Sequence, residues 1–376
     1  MAEQKKKKIL FVMQLPPPVH GVSVMNKQIA DSALINSELE CHYINLATAK
    51  SINDLQKGAF RKYLLTLFIV CKTIFKMLGN RYDYVYITIF PFGFAFLKDS
   101  IIVLLARLFR LKPLLHLHTY GFKKASERAS WRKKLYRFVF KNTEVICLSP
   151  LLIEDIEFIH TGKVFILPNG ITQVNFKNDY STDKTIIQFL YLSNLIKGKG
   201  ILLVMDALEL LKAKNLAFTC RVVGPEGDVD YATLKTVVQQ KGLEKEVELV
   251  GPKFGEEKYA EFKQADVFLL PSDYDTFGLV LLEAMQFGVP CISTPMGGIP
   301  DVIGHGNGLI IPQINAQELA LAMERLLLDP KERSRISASA FDHFKTNFTS
   351  PVFEQRLKNI LSGMPDTVNT RLVSRG

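Results

Sequence analysis

Residues 265–301 read ADVFLLPSDYDTFGLVLLEAMQFGVPCISTPMGGIPD, which combines a strand, a polar loop and a helix. The apolar run ends at Pro271, and we expect a helix to begin near Gly278, after a loop that contains Asp275. The first turn of a helix offers unpaired backbone N–H groups that bind phosphate, and glycine lets an anion approach closely. The carboxylates of Asp275 and Glu283 can accept hydrogen bonds from vicinal hydroxyl groups. The stretch therefore predicts a site for phosphate and sugar, unless Glu283 is a solvated helix position and Asp275 an ordinary cap.

Short apolar runs alternate with helical patterns on both sides of this stretch, which is typical of parallel, doubly wound sheets. In the first half the predicted strands are Ile9–Met13, Tyr84–Ile89, Pro113–His118, Glu144–Ser149 and Lys163–Leu167. In the second half they are Ile186–Leu192, Phe218–Val223, Val247–Val250, Asp266–Leu270, Pro290–Thr294 and Gly308–Ile311. The predicted fold class is α/β, with two Rossmann-like doubly wound domains.

A Pro-Asn-Gly turn at 168–170, followed by a polar stretch, interrupts the alternation and indicates a domain boundary. The predicted organisation is an N-terminal domain over 1–172, a linker over 173–185, a C-terminal domain over 186–347, a helix over 348–364 that crosses back to the N-terminal domain, and a disordered tail over 365–376. Ligands bind at the carboxyl ends of strands in such sheets, so two sheets facing each other would form a binding cleft.

The composition limits the class of protein. Hydrophobic residues make up 48% of the 376 residues, and the net charge of +10 favours an anionic partner. Five cysteines lie singly, so we expect a reducing compartment and no disulfide framework. No signal peptide is expected. The apolar run 90–109 contains three charged residues, so it predicts a buried helix and not a membrane span.

The stretch 265–301 closely resembles the E-x7-E signature of family-four retaining glycosyltransferases with the GT-B fold. The resemblance implies that Asp275 contacts the donor sugar and that Glu283 contacts the nucleotide ribose. Asp275 departs from the pattern, because the family has a Glu there and Asp is one methylene shorter. The donor-binding pattern also matches at the start of the helix, at Phe277, Gly278 and Leu279.

The segment YLSNLIKGKG follows the first strand of the second half. The resemblance implies that Lys199 binds the donor diphosphate. Asn194 stands where the family usually has an Arg, and Lys197 is a candidate to compensate for the missing charge. Gly251 and Lys253 follow a later strand, at the place where family members bracket the nucleotide base. Judged without the resemblance, Lys199 is equally well interpreted as a lysine in a solvated turn.

Two features of the first half complete the pattern. His116 and His118 alternate along one predicted strand, and His118 stands at its carboxyl end. This arrangement resembles the His-x-His strand end of the family, which implies a catalytic role for His118 near the donor sugar; we assign His116 a structural role. Gly21 lies in the loop PPPVHGVS, which in the family faces the donor phosphate and the acceptor. A plain Pro-rich turn with a solvent-exposed His20 is the alternative.

The resemblance covers most of the chain and implies a retaining glycosyltransferase. Such an enzyme would move a sugar from a UDP- or GDP-linked donor to a saccharide or lipid-linked acceptor, in bacterial cell-surface polysaccharide biosynthesis. We expect no cofactor and no metal, because no Asp, Glu, His or Cys cluster has ligand spacing. A nucleotide-sugar epimerase of the same fold is the enzymatic rival, and a basic nucleic-acid-binding protein is the rival from another class.

Basic residues cluster in the segment 107–141, beside Phe122, Trp131, Tyr136 and Phe138. No zinc finger, RNP motif or KH loop accompanies them, so nucleic acid is not the expected partner. A surface that combines cations with apolar side chains favours an anionic membrane. We therefore predict a cytoplasmic protein, peripheral at the inner face of the cell membrane; a solvated helix surface is the alternative interpretation.

Overall fold

The computed structural model divides the chain into two compact units, each built around one β-sheet. Unit 1 comprises Met1–Gly170 and Ser350–Gly376, and unit 2 comprises Ile171–Thr349. The residues that the structure describes are 6–47, 59–175, 186–363 and 371–372. Residues 176–185 of the predicted linker lie outside the described residues.

Strands and helices alternate through unit 1. They are β1 (Lys8–Met13), α1 (Gly21–Asp31), α2 (Ala33–Glu38), β2 (Glu40–Asn45), α3 (Ala59–Leu78), β3 (Tyr84–Thr88), α4 (Gly93–Leu108), β4 (Pro113–Leu117), α5 (Phe122–Glu127), α6 (Ser130–Phe140), β5 (Glu144–Cys147) and β6 (Lys163–Ile166). The strands pair in parallel in the order β6-β5-β4-β3-β1-β2. The chain reverses direction across the sheet between β1 and β3, so the ligand-binding crevice of such a sheet lies outside the carboxyl ends of these two strands.

Unit 2 repeats the alternation. Its elements are β7 (Ile187–Leu192), α7 (Ile201–Ala213), β8 (Phe218–Val223), α8 (Tyr231–Gln240), β9 (Val247–Gly251), α9 (Gly255–Gln264), β10 (Val267–Leu270), α10 (Leu279–Met285), β11 (Cys291–Ser293), α11 (Ile299–Ile303), β12 (Leu309–Ile310), α12 (Ala316–Leu328) and α13 (Pro330–Asn347). The parallel sheet has the order β12-β11-β10-β7-β8-β9. This is the strand order of dinucleotide-binding sheets, and its switch point lies between β7 and β10.

The chain then returns to unit 1 through α14 (Ser350–Ser362) and β13 (Arg371–Leu372). Helix α14 packs on α2, and Ser32 Oγ donates a 2.6 Å hydrogen bond to Glu354 Oε2. Strand β13 pairs antiparallel with β6. The expectation of a disordered tail is therefore wrong for Arg371 and Leu372, whose backbone adds an edge strand to the sheet.

The apolar runs of the sequence form the interior of the two sheets. Every residue of Ile9–Met13 is fully buried, as are Phe189 and Tyr191 on β7 and Leu269 on β10. Parallel strands are covered by helices on both faces, which is why such strands are apolar along their whole length. The predicted α/β fold class with two doubly wound sheets is confirmed.

Two sequence predictions on local structure need correction. Strand β2 was not predicted, because its sequence ECHYIN mixes polar and apolar residues at the edge of the sheet. The run 90–109 forms α4 as expected, but the helix is only half buried: Phe94, Leu97 and Ile101 are exposed. Among the described residues, no helix combines the length and the apolar character that crossing a bilayer requires.

Candidate active site

The two loops that follow β7 and β10 are joined at the switch point of unit 2. Ser272 Oγ and the Asp273 amide both donate 3.0 Å hydrogen bonds to the carbonyl oxygen of Gly198. Lys197–Lys199 form a short 3-10 turn at this place, immediately before α7. The sequence motifs around Lys199 and Asp275 are 76 residues apart, and the sheet brings them together.

Lys199 and Asp275 form an ion pair. Lys199 Nζ donates to Asp275 Oδ2 at 2.6 Å, and both side chains are largely buried. The other carboxylate oxygen, Asp275 Oδ1, accepts from the amides of Phe277 at 3.2 Å and Gly278 at 2.9 Å. Asp275 is thus held from both sides, so its carboxylate and the Lys199 ammonium occupy one small region at the end of the sheet.

Gly278 is the N-cap of α10, with φ of +72°, a left-handed conformation that glycine adopts without steric cost. Helix α10 begins at the half-buried Leu279, whose amide belongs to the first turn and is free of the helical hydrogen-bond ladder. Phe277 is buried and packs edge-to-face on Phe348, so its amide and not its ring belongs to the site. The cap residue is Gly278, so Asp275 is not an ordinary N-cap.

The glycine pair Gly297 and Gly298 packs against the backbone of the Asp275 loop. The Gly298 amide donates a 2.8 Å hydrogen bond to the carbonyl oxygen of Thr276. Gly297 has φ of +55°, and a Cβ at this position would lie 2.3 Å from the carbonyl oxygen of Asp275. Only glycine allows this approach, which explains why position 297 is a glycine.

Glu283 is also paired with a lysine. Lys258 Nζ, on α9, donates to Glu283 Oε1 at 2.6 Å, and each side chain is 22% exposed. Lys258 was missed by the sequence analysis. Its helix begins with GEEKYAEF, whose alternating charges are typical of a solvated helix. The site of unit 2 therefore contains two carboxylate–lysine pairs, Lys199–Asp275 and Lys258–Glu283.

The remaining residues predicted in unit 2 lie at a strand end or in loops and have fewer contacts. Gly251 ends β9, and its carbonyl oxygen accepts from the Gly224 amide at 3.1 Å. Lys253 forms a 3.2 Å ion pair with Glu257, one turn along the chain. Asn194 is exposed, and its carbonyl oxygen accepts from the Ile196 amide at 2.8 Å.

In unit 1, His118 follows β4, and only 7% of its surface is exposed. Burial, with a smaller contribution from the charge of nearby His20, lowers the pKa of His118 to about 3. Its Nε2 atom has no hydrogen-bond partner among the described residues. A neutral, buried imidazole with an unused ring nitrogen is able to exchange a hydrogen bond with a hydroxyl group.

His116 differs from His118 in its surroundings. It is fully buried, its Nδ1 atom is hydrogen-bonded to the Tyr86 hydroxyl, and its ring centroid lies 3.9 Å from that of His118. Burial, followed by the neighbouring His118, holds the pKa of His116 well below its ordinary value. The contacts of His116 lie within the sheet, so it supports the ring of His118 from inside the unit.

Gly21 is the first residue of α1, after the loop that leaves β1. The alternative interpretation of His20 as a merely solvent-exposed residue is wrong, because this residue caps the helix and is partly buried. The Ser23 amide donates to His20 Nδ1 at 3.3 Å, and the His20 amide donates to Ser23 Oγ at 3.0 Å. This capping box orients the first turn of α1 beside His118.

The prediction for the basic segment 107–141 needs a correction. Phe122 and Tyr136 are buried in unit 1, where Phe122 packs edge-to-face on Tyr136, and only Trp131 and Phe138 remain exposed. The predicted surface combined cations with four apolar side chains, and this prediction is wrong for two of the four.

Within the described ranges, no group of three or more His, Cys, Asp or Glu is suited to binding a metal ion.

Solved structures of other proteins share this architecture. Sucrose-phosphate synthase from Thermosynechococcus elongatus matches with a TM-score of 0.72 and 19% identity, over 95% of this chain and 99% of that chain. HepE from Anabaena, solved in complex with UDP-glucose, matches with a TM-score of 0.68 and 20% identity, over 95% of this chain and 100% of that chain. These neighbours define the fold class as that of GT-B proteins.

The sequence comparison finds a family match in the C-terminal half of the chain. Residues 173–343 match the family described as glycosyl transferases group 1. A curated relative, the amylovoran biosynthesis glycosyltransferase AmsK of Erwinia amylovora, is 32% identical over 46% of this chain and 44% of that protein. The chain spans about half the length of the curated relatives it matches.

Proposed function

We propose that this protein is a retaining glycosyltransferase that uses a UDP- or GDP-linked sugar as donor and a saccharide or lipid-linked saccharide as acceptor. The observation that carries the proposal is the pair of carboxylate–lysine contacts at the carboxyl edge of the unit 2 sheet, Lys199–Asp275 and Lys258–Glu283. Lysines bind diphosphate, and carboxylates accept hydrogen bonds from sugar hydroxyls. The Lys199–Asp275 pair lies at the switch point of a Rossmann-like sheet, and together the two pairs suit a nucleoside diphosphate sugar.

Each residue has a proposed role in binding the donor. Lys199 and the first amides of α10, beside Gly278 and Leu279, bind the diphosphate, and the Phe277 amide belongs to the same turn. Glu283 binds the ribose. Gly251 and Lys253 border the base, and Asn194 contributes a neutral side chain where the family usually has Arg. HepE, which shares the fold, was solved with UDP-glucose, in agreement with a donor of this class.

The proposed reaction forms the bond between the acceptor oxygen and the anomeric carbon, and breaks the bond between that carbon and the diphosphate. The acceptor hydroxyl attacks from the face that the diphosphate leaves, so the anomeric configuration is retained, and its proton passes to the departing phosphate. Lys199 and the helix amides stabilise the growing negative charge without a metal ion. Asp275 and His118 act on the sugar, and Gly21 borders the phosphate and the acceptor.

The proposed setting is cell-surface polysaccharide biosynthesis at the inner face of the cytoplasmic membrane. The relative from Erwinia amylovora is named for amylovoran biosynthesis, which supports a polysaccharide pathway. The exposed cations of the segment 107–141, together with Trp131 and Phe138, favour an anionic membrane as the surface on which the acceptor is met. Nucleic acid is not part of the proposal.

Calorimetric titration of the purified protein with a panel of UDP- and GDP-linked sugars tests the donor class. We expect one base to bind strongly and the free nucleoside diphosphate to compete. Product NMR with a saccharide acceptor should then show a retained anomeric configuration. Absence of binding by every donor would contradict the proposal, and release of a free epimer without acceptor would favour an epimerase. Activity should persist in a metal chelator; loss that a divalent ion restores would contradict metal independence.

A further inference from the structure

Helix α3 presents an apolar stripe to the outside of unit 1. The exposed positions recur at helical spacing and are almost all apolar: Tyr63, Leu64, Leu67, Phe68, Cys71, Phe75 and Leu78, with Lys72 among them. The opposite side, which includes Ile69, Thr73 and Met77, is buried. The exposed side of α3 is therefore predominantly apolar, whereas the exposed side of an ordinary surface helix is polar.

Helices α4 and α6 extend this surface. Phe94, Leu97 and Ile101 on α4 are exposed, and the Phe94 ring contacts the ring of Tyr63 edge-to-face with centroids 5.4 Å apart. Arg107 at the end of α4 donates a 2.7 Å hydrogen bond to the carbonyl oxygen of Phe138 on α6. The exposed residues of the three helices thus form one surface, called here the α3–α4–α6 face.

The topology of the sheet explains why these helices lie side by side. The crossovers from β2 to β3, from β3 to β4 and from β4 to β5 all advance in the same direction across the sheet. Right-handed crossovers that advance in one direction place their helices on one face, whereas α1 connects β1 to β2 in the opposite direction and lies on the other. Helices α3, α4 and α6 therefore belong to the outer layer on one side of unit 1, opposite α1.

The charge of this face selects its partner. Apart from Asp99, which is buried, every charged residue of the three helices is a Lys or an Arg. Lys72 on α3 and Lys133 and Lys134 on α6 are exposed. Two copies of such a face repel each other, so self-association is disfavoured. Anionic lipid attracts the cations, while the membrane interface accepts the apolar side chains.

We propose that the α3–α4–α6 face docks on an anionic lipid bilayer, with α3 lying in the plane of the interface. Tyr63, Leu67, Phe68 and Phe75 enter the boundary between headgroups and acyl chains, while the buried side of α3 stays packed on the sheet. This inference deepens the membrane part of the proposed function and shifts the main contact from the basic segment 107–141 to α3. It does not depend on the identity of the donor.

Vesicles of phosphatidylglycerol and phosphatidylcholine, with pure phosphatidylcholine as control, test the proposal by cosedimentation. Trp131, the single tryptophan, is exposed on α6 and reports on the face directly, so its emission should shift to the blue on binding. We expect binding to the anionic vesicles that is at least about tenfold stronger than to phosphatidylcholine and that weakens with salt.

Matched variants separate the contribution of α3 from a general loss of apolar surface. Leu64→Gln combined with Leu67→Gln changes residues that are 51% and 59% exposed on α3. Leu321→Gln combined with Leu328→Gln changes residues that are 54% and 59% exposed in unit 2. The first pair should weaken vesicle binding by at least about tenfold, and the second should leave it unchanged. Phe68→Gln with Phe75→Gln should weaken it further.

Charge-reversal variants provide a second test of the proposed membrane docking. Lys72→Glu, Lys133→Glu and Lys134→Glu together should abolish binding to anionic vesicles, whereas Lys235→Glu, Lys245→Glu and Lys331→Glu, exposed on unit 2, should preserve most of it. Equal binding by the α3 variant and wild type, or a wild type that never sediments with anionic vesicles, would overturn the proposal. Nucleoside diphosphate binding is measured on the same samples, so a failure of docking is distinguished from a failure of the proposed transferase function.

Discussion

Lys199 Nζ lies 2.6 Å from Asp275 Oδ2, so the lysine proposed to bind the diphosphate and the carboxylate proposed to contact the sugar neutralise each other in the free protein. A bound diphosphate would compete with Asp275 for the ammonium group. Binding of the donor then exchanges one charge-assisted contact for another, and releases Asp275 toward the sugar. This exchange leads to different expectations for the two residues.

Replacing Lys199 with alanine should weaken both the donor and the free nucleoside diphosphate. The loss of a charge-assisted hydrogen bond costs about 1.5–3 kcal/mol, or roughly ten- to hundredfold in affinity. The unpaired Asp275 carboxylate would in addition repel the phosphate. Calorimetry measures both affinities, and Lys235→Ala, which removes an exposed lysine of α8, is the control. Equal affinities for Lys199→Ala and wild type would identify Lys199 as a solvated turn residue.

Replacing Asp275 with asparagine should lower kcat by at least about tenfold, because the charge acts in the transition state. The Asn side chain retains an oxygen for the amides of Phe277 and Gly278, so the loop should keep its conformation. Since Lys199 loses its partner, the affinity for free nucleoside diphosphate should be unchanged or higher. Steady-state kinetics beside calorimetry test this, with the exposed Asp273→Asn as control. A change confined to the donor KM would remove Asp275 from the sugar.

Replacing Glu283 with alanine should raise the donor KM by at least about tenfold, because the ribose loses its acceptor and Lys258 loses its 2.6 Å partner. Glu256→Ala, on the exposed side of α9, is the control and should behave as wild type. Circular dichroism and thermal unfolding verify that the fold is intact. An unchanged donor KM with normal turnover would exclude Glu283 from the donor site.

His118 should make the stability of unit 1 depend on pH. Its folded-state pKa of about 3 lies below the ordinary value of 6.5, so the unfolded chain takes up the proton first. The contribution of His118 to the free energy of unfolding is therefore fully present above about pH 6.5 and is lost as the pH falls toward 3, with a limiting slope of about 1.4 kcal/mol per pH unit.

Denaturant unfolding followed by Trp131 fluorescence, at several values between pH 7 and pH 4, checks this expectation in wild type and in His118→Leu. The difference between their free energies of unfolding isolates the histidine from the carboxylates that titrate in the same range. We expect the difference to move in favour of the variant as the pH falls. A difference that stays constant with pH would show that His118 is protonated equally easily in the folded and unfolded states.

Much of the fold was predictable from the sequence, because local pattern and burial agree along the strands. Phe218–Val223 was predicted with its observed bounds, and the break from strand to loop to helix around Asp275 and Gly278 is present in the structure. Parallel strands are apolar throughout, so short apolar runs identify them without knowledge of their neighbours. Strand β2 was not predicted, because an edge strand is buried on fewer sides and its sequence therefore mixes polar and apolar residues.

The sequence by itself determined the class of fold, the family resemblance and the residues that gather at the carboxyl ends of the strands. It could not pair Lys258 with Glu283, because β10 lies between their helices and only packing fixes which side chains meet. Nor could it separate buried Tyr136 from exposed Trp131 on one helix, or find the apolar outer stripe of α3. Composition and spacing are local properties of a chain, whereas which side of a helix meets the sheet depends on the direction of the crossover and on the neighbouring helices, so only the tertiary structure decided them.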